Sequence, residues 1–174
     1  MSTEALRERD FVQGSTSEEV FYRFINRGEE RACHRLPEDL EHYLVRLLMV
    51  SVRDTSEPQR LAMILFDAEQ ASSVIERGNT YHDLGFEAVK LLGFFPGNIA
   101  RRRVSTEYVR QMARIGYAMV SHIDRERVPK SAPLRTFIPL SEQILGHLDE
   151  MIKVIWYARD DYPSILAHSD SVGV

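Results

Sequence analysis

The chain has a single cysteine, Cys33, among 174 residues. An internal disulfide framework is therefore excluded, and the composition fits a reducing compartment. Long hydrophobic runs are missing: none approaches the roughly 18 apolar residues that a membrane-spanning helix needs. The opening MSTEALRERDFVQGSTSEE places charges where a secretory signal needs an apolar core. Secretion is not expected, and a cytoplasmic location is. Excess positive charge is absent too. Lysine and arginine number 22 against 26 acidic residues, a net charge of −4. That balance argues against a protein built to coat nucleic acid and leaves room for a local basic patch. Strand-like alternation, internal repeats and low-complexity tracts are also lacking.

What is present is helical periodicity. Hydrophobic residues make up 44% and charged residues 28%, ordinary values for a globular chain. The length suits one domain with its own core. The pattern predicts an all-α, single-domain bundle of six or seven helices over residues 15–160, with flexible tails at 1–14 and 161–174. Ser15 to Glu18 and Thr16 to Glu19 have the spacing of a capping box. The first helix follows, with Val20, Phe21, Phe24 and Ile25 on one face and Gly28 as a weak point or an end. Pro37 opens the second helix, whose apolar face is Leu40, Tyr43, Leu44, Leu47, Leu48 and Ser51. A third helix starts near Pro58 and carries Leu61, Ile64, Leu65, Ala68, Ser72 and Ile75. Gly78 is expected to end it as a left-handed cap, and Asn79 to cap the fourth. That fourth helix buries Tyr81, Leu84, Gly85, Ala88, Leu91, Leu92 and Phe95.

An elbow, Gly93-Phe94-Phe95-Pro96-Gly97-Asn98, interrupts the pattern before Arg101-Arg102-Arg103. Proline removes a donor there and biases Phe95 away from helix. Ser105 then caps the fifth helix, with Glu107 in its first turn. Tyr108, Met112, Ile115, Met119 and Ile123 form its stripe, widened by Val109, Gly116 and Val120. The last helix runs from about Leu134 to Tyr157 on Leu140, Ile144, Leu145, Leu148, Met151, Ile152 and Ile155, with Pro139 splitting off a short first piece.

Several phrases together, Glu41-His42-Tyr43-Leu44-Val45-Arg46-Leu47-Leu48, Leu84-Gly85, Phe94-Phe95-Pro96, Arg102-Arg103 and the helix bearing Tyr108, Met112 and Tyr117, carry a resemblance. Over about residues 18–157 the chain resembles a family of uncharacterised bacterial proteins of about this length. It has Phe86 where such relatives often carry an acidic residue, and Val109 where they tend to carry a second tyrosine. The resemblance implies a helical fold and a bacterial cytosolic setting. It implies no activity.

The residues bear on four chemistries. A carboxylate-bridged metal pair needs two Glu-x-x-His motifs and two further glutamates. Asp39-x-x-His42 and His147-x-x-Glu150 are the nearest matches, one with the wrong acid and one reversed. Neither a metal nor a cofactor is expected. Cys33-His34 are adjacent, and neighbours on a helix point about 100° apart, so no thiolate–imidazole pair is implied. Tyr81-His82-Asp83 is read the same way, as a satisfied surface histidine. Anion binding by Arg101, Arg102 and Arg103, supported by Arg110 and Arg114, remains open against pairing with Glu107, Asp124 or Glu126.

These readings lead to an expected function. The chain is expected to be a non-enzymatic adaptor or regulator that binds a protein through Phe94, Phe95, Arg101, Arg102, Arg103, Tyr108, Arg110 and Arg114, an Arg-plus-aromatic elbow between the fourth and fifth helices. Nucleic acid or nucleotide phosphate is the alternative ligand of the same arginines. A pocket at Tyr81, Gly85, Gly116 and Tyr117 is the third alternative, an enzyme or small-ligand binder. Trp156-Tyr157 offers a second aromatic surface, and apolar stripes of this kind allow a homodimer.

Overall fold

A single helix, buried along its second half, collects the rest of the chain around it. The computed structural model describes residues 17–51 and 56–159. Among them are seven α-helices and no strand: α1 (Ser17–Ala32), α2 (Glu38–Ser51), α3 (Gln59–Gln70), α4 (Val74–Gly93), α5 (Pro96–Arg101), α6 (Thr106–Ser121) and α7 (Leu134–Arg159). A short 3₁₀ turn, Arg125–Arg127, lies between the last two. The fold is the all-α bundle that the periodicity predicts. The proposed capping boxes at Ser15 and Thr16 and both proposed tails fall outside the described residues, save that the bundle ends at Arg159 in the described chain.

The central helix is α4. Tyr81, Leu84, Ala88, Val89, Leu91 and Leu92 are all buried in it. It packs against α2, α3, α5, α6 and α7, and most closely against α6. The reason for that closeness is a pair of glycines. A Cβ on Gly116 would lie 2.5 Å from the Gly85 nitrogen and 2.6 Å from the Tyr81 carbonyl oxygen. Backbone meets backbone there, which only residues without side chains permit. The second axis of the bundle is α1 against α7.

Four expectations need correction. Gly28 does not end α1. The helix continues to Ala32, and Gly28 is the point at which α7 approaches, near Val154 and Ala158. Nor does Gly78 end the third helix. The break comes earlier, because Ser73 accepts a hydrogen bond from the Glu76 nitrogen at 3.1 Å. The Glu76 carboxylate accepts one residue further back, from the Ser72 nitrogen at 3.3 Å, so an arrangement close to a capping box starts α4 at Val74 and leaves Asn79 inside it. Gly78 is then a packing residue, filled over by the Leu134 and Ile123 side chains.

The stripe on α6 is rotated from the expected one. Val109, Met112, Ala113, Gly116, Tyr117 and Val120 are buried, whereas Ile115 and Met119 are exposed. Following the largest apolar side chains misplaces this helix, because its orientation is set by the smallest residue, Gly116. Finally, α7 runs through Pro139 without a break. Close to a helix start, the missing N–H costs a single bond. The departure from helical geometry comes at His147 (φ −126°, ψ 17°), after Gly146, the poorest helix former short of proline.

Candidate functional site

The elbow puts its aromatics and its arginines in different places. Phe94 and Phe95 are each only 3% exposed and belong to the core. They link α4 to α5, where Pro96 takes the first helical position. An exposed Arg-plus-aromatic surface is therefore not formed. Among the arginines, Arg101 is exposed and donates to the Asn98 side-chain oxygen. The Arg102 Nε lies 3.1 Å from a Glu57 carboxylate oxygen. Arg103 is exposed, sits at φ +54° and has no carboxylate partner among the described residues. Tyr108 is half-buried against the core, and its nitrogen donates to the Ser105 hydroxyl at 3.0 Å. Arg110 and Arg114 face α7, where both reach Asp149, Arg114 at 3.5 Å. Glu107 lies 3.8 Å from Arg110. The eight residues do not converge on one surface.

What the elbow does hold is the segment leading into α3. The Asn98 amide donates to the Ser56 carbonyl at 2.7 Å. The Ser56 hydroxyl donates to Glu87. Glu87 in turn pairs with Lys90 at 2.9 Å, and Lys90 is fully buried. With Arg102 on Glu57, three links fasten residues 56–57 to α4 and α5. A buried ammonium is tolerated only where such acceptors surround it.

The remaining chemical groups are dispersed. Tyr43 and Tyr117 share a 2.6 Å hydrogen bond between buried hydroxyls. Burial pushes both phenols well above their usual range; the mutual hydrogen bond opposes this for Tyr43 and adds to it for Tyr117. The Tyr117 ring fills the space against Gly85, so the expected pocket at Tyr81, Gly85, Gly116 and Tyr117 is occupied by the protein itself. His82 stacks on Phe137 at 4.0 Å. Its Nδ1 comes within 3.7 Å of Asp83, because the exposed carboxylate swings round from the neighbouring position. Helix geometry alone did not anticipate that approach. A groove of about 440 Å³ opens instead between α1 and α2, lined by Glu18, Tyr22, His42, Val45, Arg46 and Met49. Glu29, only 2% exposed, accepts from the Leu36 nitrogen at 2.7 Å. Burial and then the Glu29 charge raise the Glu41 carboxyl above its ordinary value, partly countered by Arg35. No group of three or more metal-ligating side chains exists among the described residues. Among them, no helix is long and apolar enough to cross a membrane.

The most unusual surface lies on α3. That helix packs on α4 and touches α6 only lightly. It buries Leu61 and Ala68 and half-buries Ile64 and Leu65. On the opposite side, Met63 is 67% exposed and Phe66 61%. Two more apolar residues, Ile115 and Met119, are exposed on α6. At the far end of α7, Trp156 is half-covered: its indole nitrogen donates to the Leu92 carbonyl at 3.0 Å, and Arg159 lies 5.2 Å from its ring. Met63 and Phe66 lie outside the apolar stripe expected for this helix, which faces inward. The signal was there, as two large apolar residues three apart on the polar side of an amphipathic helix.

Compared with protein-family models, curated proteins and solved structures, the chain matches none.

Proposed function

We propose that this protein acts by binding another protein chain, as an adaptor or regulator and not as a catalyst, and that the outer face of α3 makes the contact. The observation that carries this reading is the exposure of Met63 and Phe66, 67% and 61%. Single exposed apolar residues are ordinary. Two of the largest, on adjacent turns of a helix whose other side already supplies the core contact, are what a docking face needs. Methionine suits that role, because its flexible thioether adapts to different partners. Arg101 and Arg103 remain available to an anionic group at the far side of the elbow, the reduced form of the phosphate-binding alternative. Any such contribution would weaken with salt.

The test replaces Met63 and Phe66 together with glutamate. Both side chains point to solvent, so circular dichroism and the melting temperature should stay near wild type. Partners captured with the tagged protein from its native host should be lost with the double variant and kept with Arg103→Glu, which leaves the Arg102–Glu57 pair in place. Equal recovery with the α3 variant would refute the assignment.

A further inference from the structure

We infer that the occupant of the α3 face is a second copy of this chain, paired antiparallel about a two-fold axis midway between Met63 and Phe66. This rests on the reading of α3 as a docking face and names what docks there. The argument is the self-complementarity of the helix. At about 100° per residue, Met63 and Phe66 lie about 60° apart, centred opposite Leu61 and Ala68. In an antiparallel pair with this centre, Met63 of each copy comes level with Phe66 of the other. The seam then contains two thioether–aromatic layers, a favourable contact type. Ala62 borders the seam and lets the helices approach.

Charge selects the same arrangement. Arg60 and Asp67 are seven residues apart, so they share one flank of α3. Across an antiparallel two-fold seam, like flanks meet. Arg60 of one copy falls within about 3 Å, along the axis, of Asp67 of the other, and the symmetry makes this contact twice. Glu69 lies on the opposite flank and meets Ala62 of the second copy. A parallel pair would instead bring Asp67 against Glu69, a like-charge contact. One helix face against its copy is at the low end of interface sizes, below about 1,200 Å² in total. The pair should therefore be reversible.

Sedimentation equilibrium of the full chain tests this over a concentration range from about 1 µM to about 1 mM. The mass should rise from one chain to two, and Met63→Glu/Phe66→Glu should remain a monomer with unchanged circular dichroism. Arg60→Asp or Asp67→Arg alone should weaken dimerisation by about tenfold. The double charge swap, Arg60→Asp/Asp67→Arg, should restore it, because each copy again offers opposite charges. A wild type that stays monomeric throughout, or a swap no better than its two single variants, overturns the inference. If the monomer nevertheless loses its host partner on Met63→Glu/Phe66→Glu, the pairing fails and the docking face stands.

Discussion

Removing one hydroxyl from the buried tyrosine pair should cost more than removing both. The Tyr43 and Tyr117 hydroxyls meet at 2.6 Å, with both side chains buried. No other donor or acceptor is bonded to either one among the described residues. The nearest polar ring, His82, keeps its Nε2 buried without a hydrogen-bond partner, so it does not stand in. Tyr43→Phe leaves the Tyr117 hydroxyl desolvated and unpaired, and Tyr117→Phe does the reverse. Each single substitution should destabilise by about 1–3 kcal/mol, the penalty for an orphaned buried polar group. At about 2–4 °C per kcal/mol for a chain of this size, the melting temperature should fall by roughly 2–12 °C. The double variant keeps both rings, including the one packed on Gly85, and orphans nothing. It should lose less than about 1 kcal/mol. Urea unfolding of the four proteins, followed by circular dichroism, completes the double-mutant cycle. A double variant as unstable as the sum of the singles would refute the claim that the hydroxyls satisfy each other.

Two further predictions concern charge. Glu41 has a raised folded-state pKa, so its carboxyl stabilises the fold fully below the unfolded value of 4.5 and progressively less as pH climbs through the folded value. Glu41→Gln should therefore flatten the dependence of melting temperature on pH above about 4.5 and raise stability at neutral pH; a variant with the wild-type profile would count against this. Glu87→Ala should be far more damaging than Arg102→Ala. It strips one carboxylate from the fully buried Lys90 and from Ser56, at a cost on the order of 3 kcal/mol. The half-exposed Arg102–Glu57 pair should contribute at most about 1 kcal/mol. Equal midpoints in urea for the two variants would contradict the proposed network.

Much of the fold was legible because it depends on local rules. Pro37 before α2, the Ser105 cap on α6 and the apolar face of α2 each follow from neighbouring residues, and each is found where the pattern places it. Several of the errors share a different cause. Gly78 looks like a helix end until Leu134, far along the chain, is seen to occupy its missing side chain. Ile115 and Met119 look inward until the Gly85–Gly116 contact fixes how α6 is turned. Arg110 and Arg114 look available until α7 supplies Asp149. The break before α4 is itself local, since Ser73 and Glu76 stand three apart with capping spacing. The Gly78, α6 and Asp149 corrections come from residues distant in sequence, which periodicity does not encode. The elbow aromatics were ambiguous for the same reason, since burial of Phe94 and Phe95 is decided by helices that arrive later.

The fastening of residues 56–57 has a bearing on how α3 is presented. The helix begins at Gln59, directly after that segment, so Asn98 and Arg102 act as its moorings at one end. Its other end is a short turn into α4. A change at the arginine corner would thus tilt or loosen α3 as a lever, and the outward methionine and phenylalanine would feel an event that never touches them.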